Sequence, residues 1–73
     1  MAFTEFVSMV SSNVKGARYD AEEQILEIMF KGGATYWYYG VEEEVWKRLL
    51  RAPSKGKFVW EYIRDVYDYE RIR

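Results

Sequence analysis

Ser54-Lys55-Gly56-Lys57 is the segment whose residue types come closest to a chemical site. A helix-capping Ser, a Gly that allows close approach, and two ammonium groups around the free amides of a first helical turn suit a phosphate or a carboxylate. Two lysines in a first turn oppose the helix macrodipole, at a cost of about 0.3–1 kcal/mol each. No acid at position 57 completes a capping box. A locally unfavourable pattern can mark a site; a solvated, lysine-bearing loop is the plainer reading. Arg51 extends the segment, because Lys47 to Lys57 holds five bases and no acid. Such a run can track a phosphate backbone, and an ordinary exposed helix end looks the same.

Tyr36-Trp37-Tyr38-Tyr39 is the second candidate. In a strand, alternation sends Tyr36 and Tyr38 to one face and Trp37 and Tyr39 to the other. Aromatics on an open sheet face can stack nucleotide bases, at about 1–3 kcal/mol per base. The competing reading makes one pair core and packs the other on residues 1–10. Two further clusters carry less. Glu42-Glu43-Glu44 would point about 100° apart on a helix, so they do not converge on a metal, and dipole compensation accounts for them. Ser11-Ser12 has no imidazole to activate it, since the chain contains no His and no Cys. That composition excludes thiolate and imidazole metal sites, a disulfide framework, and the usual general base near neutral pH. A non-enzymatic protein with no metal and no cofactor is expected.

The elements that must position these segments follow from periodicity. Residues 25–30 alternate in β-favouring types and read as a strand. Lys31-Gly32-Gly33 suits a tight hairpin turn, and residues 34–39 return. Residues 14–19 form a weaker strand, interrupted by Gly16, with a polar Asp20-Ala21-Glu22-Glu23 turn after it. A helix is predicted over 42–51, with acids at its start, bases at its end and Pro53 as its stop. A second is predicted over 55–67, capped by Ser54 and striped by Phe58, Val59, Tyr62, Ile63, Val66 and Tyr67. Residues 1–10 fit either a helical turn or an extended arm, and residues 68–73 read as a fraying tail. The expected fold is α+β, a three-stranded antiparallel meander followed by two helices, β-β-β-α-α.

Seventy-three residues make one domain, 1–73, with a limited core. Fourteen aromatics, three Trp, seven Tyr and four Phe, compensate. Each can bury roughly 150–250 Å², so most must be structural. The net charge of −1 hides an asymmetry: residues 1–44 carry eight acids against three bases, and residues 45–73 four acids against eight bases. A uniformly basic nucleic-acid binder is excluded, while a basic face in the second half is not. Asn13 and Gln24 are the only side-chain amides, and 32% of residues are charged. That suits a thermophilic source, though so short a chain also reaches such counts by chance. The first ten residues lack a basic leader, and the longest apolar-looking run, Ala34 to Val41, is far short of the ~20 residues of a membrane span. A cytoplasmic location without membrane contact is expected.

The series Val10-Ser11-Ser12-Asn13-Val14, Tyr19-Asp20, Leu26-x-Ile28-x-Phe30-x-Gly32, Tyr36-x-Tyr38-x-x-Val41, Ala52-x-Ser54-x-Gly56-x-Phe58 and Ile63-Arg64 resembles the KTSC domain. That family is named for a domain at the C-terminus of some lysyl-tRNA synthetases and also occurs as small stand-alone proteins. The resemblance covers nearly all of the chain after residue 9. The family usually has Pro where this chain has Glu42, and often a polar Asn where it has Trp60. The resemblance implies no enzyme activity, and links the domain to RNA by association alone. The leading expectation is a module for RNA or single-stranded nucleic acid, with Arg51, Ser54, Lys55, Gly56 and Lys57 on phosphates and Tyr36 or Tyr38 stacking. The alternative is a protein-interaction or self-association module, a homodimer included, because a three-stranded sheet leaves two edges.

Overall fold

The computed structural model describes residues 2–73. The elements run β1 (Val7–Ser8), β2 (Val14–Asp20), β3 (Ile25–Phe30), β4 (Thr35–Tyr39), α1 (Glu43–Arg51), α2 (Lys55–Tyr62) and β5 (Tyr69–Arg71). The sheet has five antiparallel strands in the order β1-β2-β3-β4-β5. The expected meander is its centre, and the expected count of three is too low.

Both missed strands lie where side-chain patterning is weakest. Residues 2–10 form the extended arm. Thr4 donates its backbone N–H to the Tyr19 carbonyl (2.8 Å), and Val7 pairs with Ala17. Two residues of strand cannot display a period of two. Gly16, which seemed only to weaken its strand, has a reason here: a Cβ would collide with the Phe6 ring and the Val7 carbonyl of the arm. The tail does not fray either. Tyr36, Trp37 and Tyr38 pair with Arg71, Glu70 and Tyr69, and Tyr39 N–H donates to the Asp68 carbonyl at 2.9 Å. All three β5 side chains are exposed. The strand is held by backbone hydrogen bonds that β4 would otherwise lack, which no hydrophobic pattern announces.

The second helix ends at Tyr62, five residues before its apolar stripe does. Val59 carbonyl accepts from both Ile63 N–H and Arg64 N–H, and Asp65 takes a left-handed φ of 66°. That conformation closes helices and turns the chain back toward β5. At the other end, Ser54 accepts from Lys57 N–H at 3.3 Å, as the cap it was read to be.

The helices cover one face of the sheet. Tyr19, Leu26, Ile28, Tyr38, Val41, Trp46, Leu49, Phe58, Val59 and Ile63 form the core between them. The two helices meet through Arg48, whose guanidinium lies 5.4 Å from the Phe58 ring centre and 5.1 Å from that of Tyr62. On the opposite face, Arg18, Glu27, Trp37 and Glu70 fall in one cross-strand row. Arg18 grips the Glu27 carboxylate at 2.7 and 3.1 Å, Trp37 indole N–H donates to it at 2.8 Å, and Phe3 of the arm packs on Trp37 and under Arg18. This face is closed by its own partners.

Candidate functional site

Coverage by the helices is uneven, and that unevenness makes the site. On the helix side, Tyr19, Leu26, Tyr38 and Tyr69 form one cross-strand row. Tyr19 is 1% exposed, Leu26 0%, Tyr38 3% and Tyr69 58%. The helices therefore seal β2 and β3 and stop short of β5. A groove of about 360 Å³ remains between α2 and the β4–β5 edge. Phe30, Ala34, Tyr36, Tyr38 and Tyr69 line it from the sheet, and Gly56, Val59, Trp60, Arg64 and Asp65 from the α2 side.

A second hollow, of about 390 Å³, lies at the start of α2 between residues 10–13 and residues 53–57. Asn13, Gly56 and Trp60 line both, so the two adjoin. The junction is built by close approach. A Cβ on Gly56 would stand 2.5 Å from Asn13 Oδ1 and 3.1 Å from Ser11 Oγ, so only glycine lets α2 start against this turn. Ser11 Oγ holds the turn: it donates to Asn13 Oδ1 (3.2 Å) and accepts from the backbone N–H groups of Asn13 and Val14.

The sequence-predicted residues divide. Ser54, Lys55, Gly56 and Lys57 line the hollow at α2, and Tyr36, Tyr38 and Gly56 line the groove. Lys55, however, turns its ammonium to the end of α1, donating to the Leu50 carbonyl at 2.9 Å and the Ala52 carbonyl at 2.6 Å. It offsets that helix's negative end, which leaves Lys57, exposed, as the cation of the segment. Arg51 lines neither hollow and pairs with Glu44 at 3.4 Å on the surface. Trp37 and Tyr39 belong to the other face, where Tyr39 hydroxyl donates to Glu70 at 2.8 Å.

The groove also contains residues that the sequence reading named only for the family resemblance and did not assign to a site. Trp60 is 62% exposed, with the Arg64 guanidinium 4.1 Å from its ring centre. The available signal was that both sit off the apolar stripe of α2, four residues apart. The Tyr38 phenol is pushed up to about 12, by burial first and by Tyr36, Tyr69 and Asp65 beside it, with Arg64 opposing the rise. Tyr38 is thus a neutral hydroxyl at physiological pH, both donor and acceptor.

Other family-motif residues serve the fold. Asp20, fully buried, accepts from Ala2, Glu22 and Glu23 backbone N–H groups at 2.9–3.1 Å. These bonds, led by Glu23's, hold its carboxyl below the usual range against the upward push of burial. Tyr19 stacks on Trp46 at 5.7 Å and donates its hydroxyl to the Val41 carbonyl. Among the described residues, no three His, Cys, Asp or Glu side chains gather to hold a metal. No helix there is long and apolar enough to cross a membrane.

Fold and cleft define a small α+β domain: a five-stranded sheet, two helices on one face, and an aromatic groove left at the sheet's last two strands. The sequence model of the KTSC domain matches residues 10–67. The chain belongs to the KTSC domain family.

The crystal structure of a KTSC domain protein from Yersinia pestis superposes with a TM-score of 0.90 at 32% identity, over 99% of this chain and all of that one. The arm and β5, which lie largely outside the matched residues, are thus part of the shared fold. An uncharacterized protein of Stutzerimonas stutzeri is 45% identical over 67 residues, covering 90% of this chain and 94% of that protein. A lysine–tRNA ligase of Trichormus variabilis is 34% identical over 61 residues, covering 84% of this chain but 11% of the ligase.

Proposed function

We propose that this domain is a non-catalytic module for single-stranded nucleic acid, RNA in the first place. The observation that carries the reading is the continuity of the two hollows through Asn13, Gly56 and Trp60. One offers the amides at the start of α2 that the Ser54 cap does not take, and the Lys57 ammonium, to a phosphate. The other offers exposed rings, Trp60 on the helix bank and Tyr69 on the strand bank, to a base. Exposed aromatics beside a cation are how sequence-tolerant strand binders hold successive nucleotides. The presence of a similar segment in lysine–tRNA ligases adds an association with RNA.

A fluorescence titration with labelled single-stranded RNA at low salt tests the reading. Binding is expected at micromolar protein, weakened about fivefold or more by Trp60→Ala and further by Lys57→Glu. Absence of binding at high micromolar protein, or binding indifferent to both substitutions, would remove it.

A second reading has its own observation. β5 is an edge strand, and Val66, Tyr69 and Ile72 around it are all exposed large side chains. Such an edge can add a strand from another protein or a second copy. Sedimentation over a hundredfold range of concentration checks it: a monomer throughout counts against self-association.

A further inference from the structure

The groove between α2 and β5 is more selective than a stacking platform needs to be. Tyr38 is 3% exposed, yet among the described residues its hydroxyl has no hydrogen-bond partner. No fully buried side-chain polar atom there is left unpaired, so the hydroxyl keeps its small exposure at the groove it lines. Arg64 and Asp65 line the same groove. The ion pairs found among the described residues are Arg18–Glu27 and Arg51–Glu44, so these two charges do not neutralise each other. Asp65 is also held at a φ of 66°, a conformation uncommon in residues other than glycine, and its backbone turn sets both side chains beside α2.

We infer that this groove is a base pocket that prefers guanine, with Asp65, Arg64 and the Tyr38 hydroxyl reading the base edge. The inference rests on the nucleic-acid reading above and adds a specificity to it. Its volume is at the small end of the ~300–1,000 Å³ of ligand sites, which suits one nucleotide. Apolar walls from Phe30, Ala34 and Val59 suit a planar ring. A carboxylate accepts only, and guanine alone among the common bases presents two adjacent N–H donors, N1–H and the N2 amino group, that match its two oxygens. A guanidinium donates only, and guanine O6 and N7 are the acceptor pair that arginine reads most often. The tyrosine hydroxyl can serve either edge. Adenine in the same pose would set its amino group against Arg64 and its N1 lone pair against the carboxylate, leaving both carboxylate oxygens without an N–H donor. Uracil and cytosine each bring a single donor group to Asp65.

The test is a nuclear magnetic resonance titration of the whole chain with GMP, AMP, CMP and UMP separately, beside a single-stranded RNA of mixed sequence. GMP is expected to shift the Trp60 indole and Tyr69 signals with an affinity about fivefold or more above that for AMP. Asp65→Asn, which keeps a side chain that tolerates the left-handed turn, is expected to abolish that preference while amide exchange stays unchanged. GMP and AMP binding equally would overturn the inference, as would a preference that survives Asp65→Asn. RNA that shifts Lys57 while GMP leaves Trp60 and Tyr69 unmoved would overturn the guanine pocket and leave the nucleic-acid reading standing. GMP bound in the groove without any binding of RNA would keep the pocket and remove the strand as its source. If neither RNA nor GMP binds, both ideas fall.

Discussion

Glu27 is the residue on which the face away from the helices depends. It is 7% exposed and receives hydrogen bonds from Arg18 and Trp37. Burial pushes its carboxyl up, but Arg18 and Trp37 outweigh that and hold it below the usual carboxylate range. Glu27→Ala would leave the indole N–H and a part-buried guanidinium unpaired, so a loss of about 1–3 kcal/mol is expected in denaturant unfolding. The sign of the pH effect follows from the lowered value. The contribution of the ionised group is complete above its unfolded pKa, near 4, and is lost as pH falls through the lower folded value. Asp20, also lowered, acts in the same sense. Melting temperature should therefore fall steeply below about pH 4, and Glu27→Gln should start lower at pH 7 but lose less on acidification. An equal acid slope in the variant would show that Glu27 is not one of the linked groups.

Gly56 poses a contest of magnitudes. An alanine in a helix is favoured over glycine by about 1 kcal/mol, whereas overpacking costs about 1–3 kcal/mol. Because Asn13 Oδ1 would lie 2.5 Å from the new methyl carbon and is held by Ser11, the clash should win. After the propensity gain is subtracted, Gly56→Ala is expected to lower stability by up to about 2 kcal/mol in chemical unfolding. A more stable variant would mean that the turn at residues 11–13 gives way freely.

At the scale of elements, the parts legible in the sequence were those with a repeated side-chain pattern. Residues 25–30 alternate and form β3 over that same range, and the Glu-rich start and Pro53 bracket α1 to within a residue. β1 and β5 were invisible because backbone pairing, not patterned burial, makes them. The stripe through Tyr67 overstated α2, since Val66 is exposed and Tyr67 reaches the core from a turn rather than a helix. The site was half legible for the same reason: the α2 start and Tyr36 could be read locally, but the groove needs β5 as its far bank. Deleting residues 68–73 should accordingly cost three cross-strand pairs at about 0.2–1 kcal/mol each, about 0.6–3 kcal/mol in all. Hydrogen exchange locates the effect. Tyr39 and Thr35 amides, which donate to the Asp68 and Arg73 carbonyls, should lose protection, while those of Leu26 and Ile28 keep theirs as long as the truncated chain folds.

For the whole molecule, charge decides how a strand would arrive and how firmly it could stay. With a net charge of −1, the domain exerts little long-range attraction on a polyanion, and its eight acids in residues 1–44 repel one. Binding must then come from short-range contacts at one place. Of the five bases between Lys47 and Lys57, Lys55 caps α1, Arg51 pairs with Glu44 and Arg48 lies over Phe58 and Tyr62. Lys57 and Arg64 are the remaining cations that line the cleft; Arg64 lies over Trp60 and is assigned to a base, so Lys57 is the one with no competing duty shown among the described residues. One or two phosphates neutralised by such a surface imply a shallow salt dependence, about −0.7 to −1.4 in log K against log salt for a single strand. The remaining affinity would be stacking, which salt barely touches. Titrations between 20 and 200 mM salt, at about those limits, should therefore weaken RNA binding roughly five- to twenty-five-fold. A slope beyond about −3 would require several more phosphate contacts than the cleft can make, and would place the nucleic acid on another surface of the domain.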